Sequence, residues 1–134
     1  SEAKPGERIE MGHVYVAPGG YHMKLEKRRD GYYIACTDEP SREGVKPCAN
    51  YMYESLMDSD FDEVVCVVLT GMGADGTAGI KALKQKKKLC VIAQDEPTSI
   101  VYGMPRAIAM TGLVNDVVPL GSVAETITKN VGVR

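Results

Sequence analysis

The chain has 134 residues, room for one domain around one hydrophobic core. Hydrophobic residues make up 44% and charged residues 25%, and 18 acids against 16 bases leave a net charge of −2. That balance excludes the basic footprint of a nucleic-acid binder. No apolar stretch reaches the roughly 18 residues of a membrane span, and the polar, charged Ser1–Glu10 does not read as a signal peptide. Cys36, Cys48, Cys66 and Cys90 form no C-x-x-C pair. Their spacing is too wide for a zinc site, and a reduced, cytoplasmic protein is expected.

His13–Pro18 alternates apolar residues before a Pro-Gly-Gly break and predicts a short strand. Met23–Arg28 and Tyr32–Thr37 flank Arg29-Asp30-Gly31, the signal of an antiparallel hairpin. Asp38–Pro47 is a polar loop, and Ala49–Met57 is helical in pattern, with Tyr51 and Tyr53 divided between core and surface. Val64–Leu69 is a β-branched, apolar run that predicts a strand buried on both faces of a parallel sheet.

A helix over Thr77–Lys87 follows, with Ile80 and Leu83 inward. Its lysines (Lys84 and Lys86–Lys88) suit the solvated carboxyl end of a helix. Leu89–Ala93 is a second buried strand and Gln94–Ser99 a loop. Ile100–Met104 reads as a short helical turn and Pro105–Met110 as a helix with Pro at its first position. Gly112 stops it. Leu113–Pro119 is a last extended segment, and Ser122 with Glu125 forms a capping box for a final helix to about Asn130. Strand–helix–strand–helix over Val64–Met110 predicts an α/β fold with a parallel sheet.

The chemistry concentrates in Leu69–Gly79, where the first buried strand runs into Leu-Thr-Gly-Met-Gly-Ala-Asp-Gly-Thr-Ala-Gly. Gly71, Gly73 and Gly76 satisfy G-x-G-x-x-G, and Asp95 stands nineteen residues further on, where a ribose-binding acid belongs. Against a dinucleotide stands Asp75, which puts a negative charge inside the loop that would cradle a pyrophosphate. The alternative makes Asp75 the functional group, an acid at the carboxyl edge of a sheet beside a helix N-terminus. Such a group can orient a histidine in acyl transfer. A third reading has it cap the helix at Gly76 or Thr77. His13 reads as a structural histidine within its strand. Asp95 and Glu96 either shape a cleft or cap their loop.

Three segments carry a resemblance. Met11–Met23 is similar to Gly-x-Val-Tyr-x-Ala-Pro-Gly-x-x-His-Met, Leu69–Gly76 to Leu-Thr-Gly-Met-Gly-x-Asp-Gly, and Gln94–Pro105 to Ala-Gln-Asp-Glu…Gly-Met-Pro. In that order they resemble the catalytic domain of bacterial chemotaxis protein-glutamate methylesterases of the CheB type. The resemblance implies a doubly wound, mostly parallel, Rossmann-like three-layer α/β sheet with an antiparallel hairpin. It implies a serine hydrolase with a Ser-His-Asp triad that demethylates glutamate methyl esters and deamidates glutamines on methyl-accepting chemotaxis receptors. Asp75 falls on the triad aspartate. Met72 and Gly73 fall at the oxyanion side of the cleft, and His22 is implied as a cleft residue rather than the base. No metal or organic cofactor is implied.

The sequence departs from that pattern. The family's Ser-Thr-Gly-Gly and Gln-His-Met-Pro segments, which bear the nucleophile and the base, are absent from it, and its two histidines are His13 and His22. A single partial catalytic domain over residues 1–134 is expected, lacking its first strands and the receiver domain and completed by the upstream part of the same enzyme. An open sheet edge should follow. Alone, the chain lacks the groups that acyl transfer needs. A non-catalytic module that binds receptor or receiver is the rival from another class. Where the family has Pro-Ser-Val-Asp, this chain has Pro47-Cys48-Ala49-Asn50, which weakens a functional role for that segment.

Overall fold

A computed structural model describes residues 1–132. Strands β1 (His22–Arg28) and β2 (Gly31–Thr37) form the antiparallel hairpin, with Arg28 opposite Gly31. Neither Arg29 nor Asp30 takes a positive φ; Gly31 does, at 149°. An added Cβ there would press on the Arg8 guanidinium at 3.3 Å. The predicted strand over His13–Pro18 does not form. Val16 makes one bridge to Glu2, and the segment that pairs with the free side of β2 is Gly6–Ile9, through Ile34 and Tyr32. The apolar alternation misled because Val14 and Val16 face outward, while Tyr15 exchanges hydrogen bonds with Glu10 and Arg8.

Helix α1 (Ala49–Ser55) packs on the hairpin and buries Tyr53, with Tyr51 half-buried. Strand β3 (Glu63–Val68), helix α2 (Thr77–Lys84), strand β4 (Lys88–Gln94), helix α3 (Gly103–Ala109), strand β5 (Asp116–Val118) and helix α4 (Val123–Val131) follow. The three strands make a parallel sheet in the order β3-β4-β5. Cys66 and Val68 of β3 join Leu89, Val91 and Ala93 of β4 under Ile80, Leu83 and Ile108. The opposite face of β3 carries Val65 and Val67, and α4 lies on that side, with Ile127 and Val131 facing the same cleft. Helices thus lie on both faces, and the α/β, parallel-sheet expectation holds.

The expected burial of β3 on both faces does not. Val65 and Val67 are only half-buried, because β3 is an edge strand among the described residues. A cleft of about 510 Å³ opens beside it, lined by Leu56, Phe61, Val65, Val67, Ile127 and Val131. Two helix starts also differ. α3 begins at Gly103, so Pro105 is its third residue; the first turn lacks intrahelical acceptors anyway. Ser122 precedes α4 but its hydroxyl accepts no capping bond, because a 3-10 turn at Leu120–Ser122 holds its backbone near helical angles.

Candidate active site

The glycine-rich loop after β3 is fastened to the loop after β4 by its backbone. Gly71 N–H donates to Val101 O at 2.9 Å, and Met104 N–H donates to Gly71 O at 2.8 Å. The Thr70 hydroxyl donates to Val101 O and accepts from Val101 N–H, both at 2.9 Å. The fully buried Gln94 accepts from Thr70 N–H at 2.8 Å and donates to Thr98 O at 2.8 Å. Gly103 is required at the crossing, since a Cβ would stand 3.0 Å from both Gly71 O and Gly73 N. Asp95 serves its own loop, accepting from Thr98 N–H at 3.1 Å and from the Thr98 hydroxyl at 2.6 Å. The capping alternative for this acid is the one observed.

Asp75 is 9% exposed. Its Oδ2 accepts from Ala49 N–H at 2.9 Å; its Oδ1 accepts from Asn50 N–H at 3.2 Å and from the Cys48 thiol at 3.0 Å. It caps a helix, but not the one expected: the capped turn is the start of α1, whose own N-cap residue, Cys48, makes no side-chain cap. The service is returned. Asn50 Oδ1 accepts from Gly76 N–H at 3.0 Å and from Gly79 N–H at 2.8 Å, closing the start of α2. Each helix N-terminus thereby spends its orphan donors on a side chain of the other. Asn50 Nδ2 has no partner among the described residues; the family's aspartate at this place would bring no such donor.

This occupancy also disposes of the dinucleotide reading. The amides of Gly76 and Gly79, which a pyrophosphate would need, already serve Asn50.

His22 is fully buried. Nδ1 accepts from Cys48 N–H at 3.1 Å, and Nε2 faces the carbonyls of Glu39 and Pro40, both at 3.1 Å. Those partners place the ring proton on Nε2. The imidazole ties the hairpin to the residue that holds Asp75, and it keeps no nitrogen free for proton transfer. Tyr51 packs on it at 4.4 Å between ring centres. His13 is on the surface rather than enclosed in a strand, with Nδ1 3.0 Å from Met11 O.

Met72 stands 82% exposed at the crest of the glycine loop, and Gly73 beside it adopts φ 92° with open space where a Cβ would be. A cavity of about 180 Å³ lies against Asp75, walled by Ala17, Met23, Pro47, Cys48 and Met52. The one sulfur at Asp75 is no nucleophile: burial, then the carboxylate beside it, push the Cys48 thiol up to about 11.

The family model of the CheB methylesterase matches residues 1–127. The chain belongs to that family. A protein-glutamate methylesterase/protein-glutamine glutaminase of Syntrophomonas wolfei is 40% identical over 130 residues, 94% of this chain and 37% of that protein. The enzyme of the same name from Pyrococcus horikoshii is 44% identical, over 97% of this chain and 35% of its own length. The chain therefore spans little more than a third of these relatives. The crystal structure of the Thermotoga maritima CheB methylesterase catalytic domain superposes with a TM-score of 0.89 at 30% identity, covering 96% of this chain and 67% of that one. The α/β fold is thus the fold of that catalytic domain, with its parallel sheet and antiparallel hairpin.

Sequence reasoning singled out Asp75 and missed what surrounds it. Cys48 and Asn50 come from a segment that looked like a weakened match, yet they supply two of the three contacts to the carboxylate and both acceptor contacts to α2. Helix spacing carries no signal of this pairing, because it joins residues 25 or more positions apart.

Proposed function

We propose that this chain supplies the aspartate and the oxyanion side of a chemotaxis protein-glutamate methylesterase and glutaminase. In this reading a serine from the remaining part of the domain attacks the methyl ester carbonyl of a receptor glutamate. A histidine takes the serine proton and passes it to the departing methanol, and water then frees the glutamate. Asp75 holds that histidine in one tautomer and steadies its imidazolium. Met72 and Gly73 lie beside the developing oxyanion, where a backbone amide can donate. The partners are methyl-accepting chemotaxis receptors, with the receiver domain and upstream part of the enzyme, in the cytoplasm. No helix among the described residues is long and apolar enough to cross a membrane.

The observation that carries the reading is the fixing of Asp75. Three donors from one helix start hold a nearly buried carboxylate at the carboxyl end of β3, against an open cavity. Neither histidine of this chain is placed to be the base: His22 has both nitrogens engaged and His13 lies on the surface. Methanol release from methylated receptor cytoplasmic domains tests it, using the complete enzyme and its Asp75→Asn variant. The variant should lose about 10⁴-fold in kcat, as triads lose when the orienting aspartate becomes an amide. An active Asp75→Asn enzyme would overturn the assignment. A complete enzyme that binds receptor and releases no methanol would instead make this a binding module.

A further inference from the structure

The contacts to Asp75 are unequal, and the inequality rests on a residue that departs from the family pattern. A carboxylate offers about two acceptor sites on each oxygen. Oδ1 is filled, by the Cys48 thiol at 3.0 Å and Asn50 N–H at 3.2 Å. Oδ2 has only Ala49 N–H at 2.9 Å and keeps one site open. Oδ2 is therefore the oxygen left for an incoming ring N–H. The two backbone donors bind one to each oxygen and define a cradle; the thiol is the one side-chain donor, and it breaks the symmetry between the oxygens.

We propose that Cys48 is a positioning residue: its S–H holds Oδ1 of Asp75 so that Oδ2 is presented to the catalytic histidine. The inference rests on the reading of Asp75 as the triad aspartate and adds to it which oxygen acts and what selects it. Three further features support it. Cys48 is buried with 1% exposure, so its thiol is shielded from solvent and stays on the carboxylate. Its backbone N–H is fixed by His22, itself held by the Glu39 and Pro40 carbonyls, so the Cys48 backbone cannot drift. With its thiol pushed up to about 11, the group remains a protonated donor throughout the neutral range.

The test uses the complete enzyme with Cys48→Val and Cys48→Ser, and Asp75→Asn as the reference. Cys48→Val puts a methyl where the sulfur stood and adds one more, suits the extended backbone at this position (φ −114°, ψ 123°) and removes the donor. It should lower kcat by about 5- to 20-fold with KM unchanged, because the lost contact is a weak donor on a charged acceptor. The acid limb of its kcat/KM profile should move down by roughly half a pH unit, since a loosely held carboxylate stabilises the imidazolium less. Cys48→Ser should keep both kcat and the limb near the parent. If Cys48→Val fails to fold, Cys48→Ala gives the same two readings. A donor-free variant with parental kcat and pH profile, beside an inactive Asp75→Asn, overturns the proposal and leaves Asp75 in place. So does a Cys48→Ser enzyme that falls as far as Cys48→Val, for then a donor at this position is not what counts. An active Asp75→Asn overturns the underlying reading, and this proposal with it.

Discussion

Gly79 is the third residue of α2, and alanine ordinarily improves a helix over glycine by up to about 1 kcal/mol. Here it should do the reverse. A Cβ at this position would lie 2.7 Å from Asn50 Cα, 2.9 Å from Asn50 O and 3.0 Å from Tyr53 Cβ. Carbon atoms rest at about 3.5–4.0 Å, so α1 and α2 must separate by close to 1 Å. The two nearest are backbone atoms and the third is a Cβ fixed to its backbone, so none can swing aside. Separation loosens Tyr53 in the core and stretches the 2.8 Å bond from Gly79 N–H to Asn50. Overpacking of this kind costs about 1–3 kcal/mol, and a weakened buried hydrogen bond adds about 1 kcal/mol. Set against the propensity gain, Gly79→Ala should destabilise the domain by about 2 kcal/mol, or roughly 7 °C in Tm for a chain of this size. Urea and thermal unfolding measure it. Gly121→Ala is the control, since nothing lies within 4 Å of a Cβ there and its φ is not positive; it should change stability by less than about 0.5 kcal/mol. A Gly79→Ala domain as stable as the parent would refute the argument that this glycine sets the distance between the helices.

Acid should weaken the hairpin face through Glu39. The hydrogen bond from Lys24 holds the Glu39 carboxyl at about 2 against an ordinary 4.5. A depressed carboxyl contributes stability that is complete above about 4.5 and is lost as pH falls towards 2. Unfolding curves across that window should lose part of their slope in Lys24→Met, and an unchanged slope would count against the pairing. The thiols should also sort by burial: Cys66 is fully buried and pushed up to about 12, whereas Cys36 and Cys90 are half-buried. Brief alkylation of the native protein at pH 8, read by peptide mass spectrometry, should spare Cys66 and Cys48 until denaturant is added.

Where the sequence carries local structure strongly, it was legible. The β3–loop–α2–β4 unit follows from a β-branched run, a glycine-rich turn and inward Ile80 and Leu83, and it forms with its ends shifted by a few residues. The hairpin follows from its turn, and the open edge at β3 is there as expected. Two local signals failed because a neighbour took over. The alternation at His13–Pro18 faces solvent beside Tyr15, and Ser122 lies within a 3-10 turn that removes the extended backbone a cap needs. At the site, Asp75 could be located by motif, but its orientation is written across distance, in the pairing of Asp75 with α1 and of Asn50 with α2. His22 shows the opposite case: a histidine in a family motif that turns out to brace the fold.

The mutual capping of α1 and α2 bears on how such sequences are read in genomes. Asp75 closes the first turn of α1 whether or not any ester is ever cleaved. In a duplicated copy of this domain that had given up hydrolysis, selection for folding alone would retain the aspartate, together with Asn50 and Gly79. A preserved Leu-Thr-Gly-Met-Gly-x-Asp-Gly stretch is therefore a mark of ancestry and of a sound scaffold. That stretch alone does not tell whether such a copy still cleaves esters.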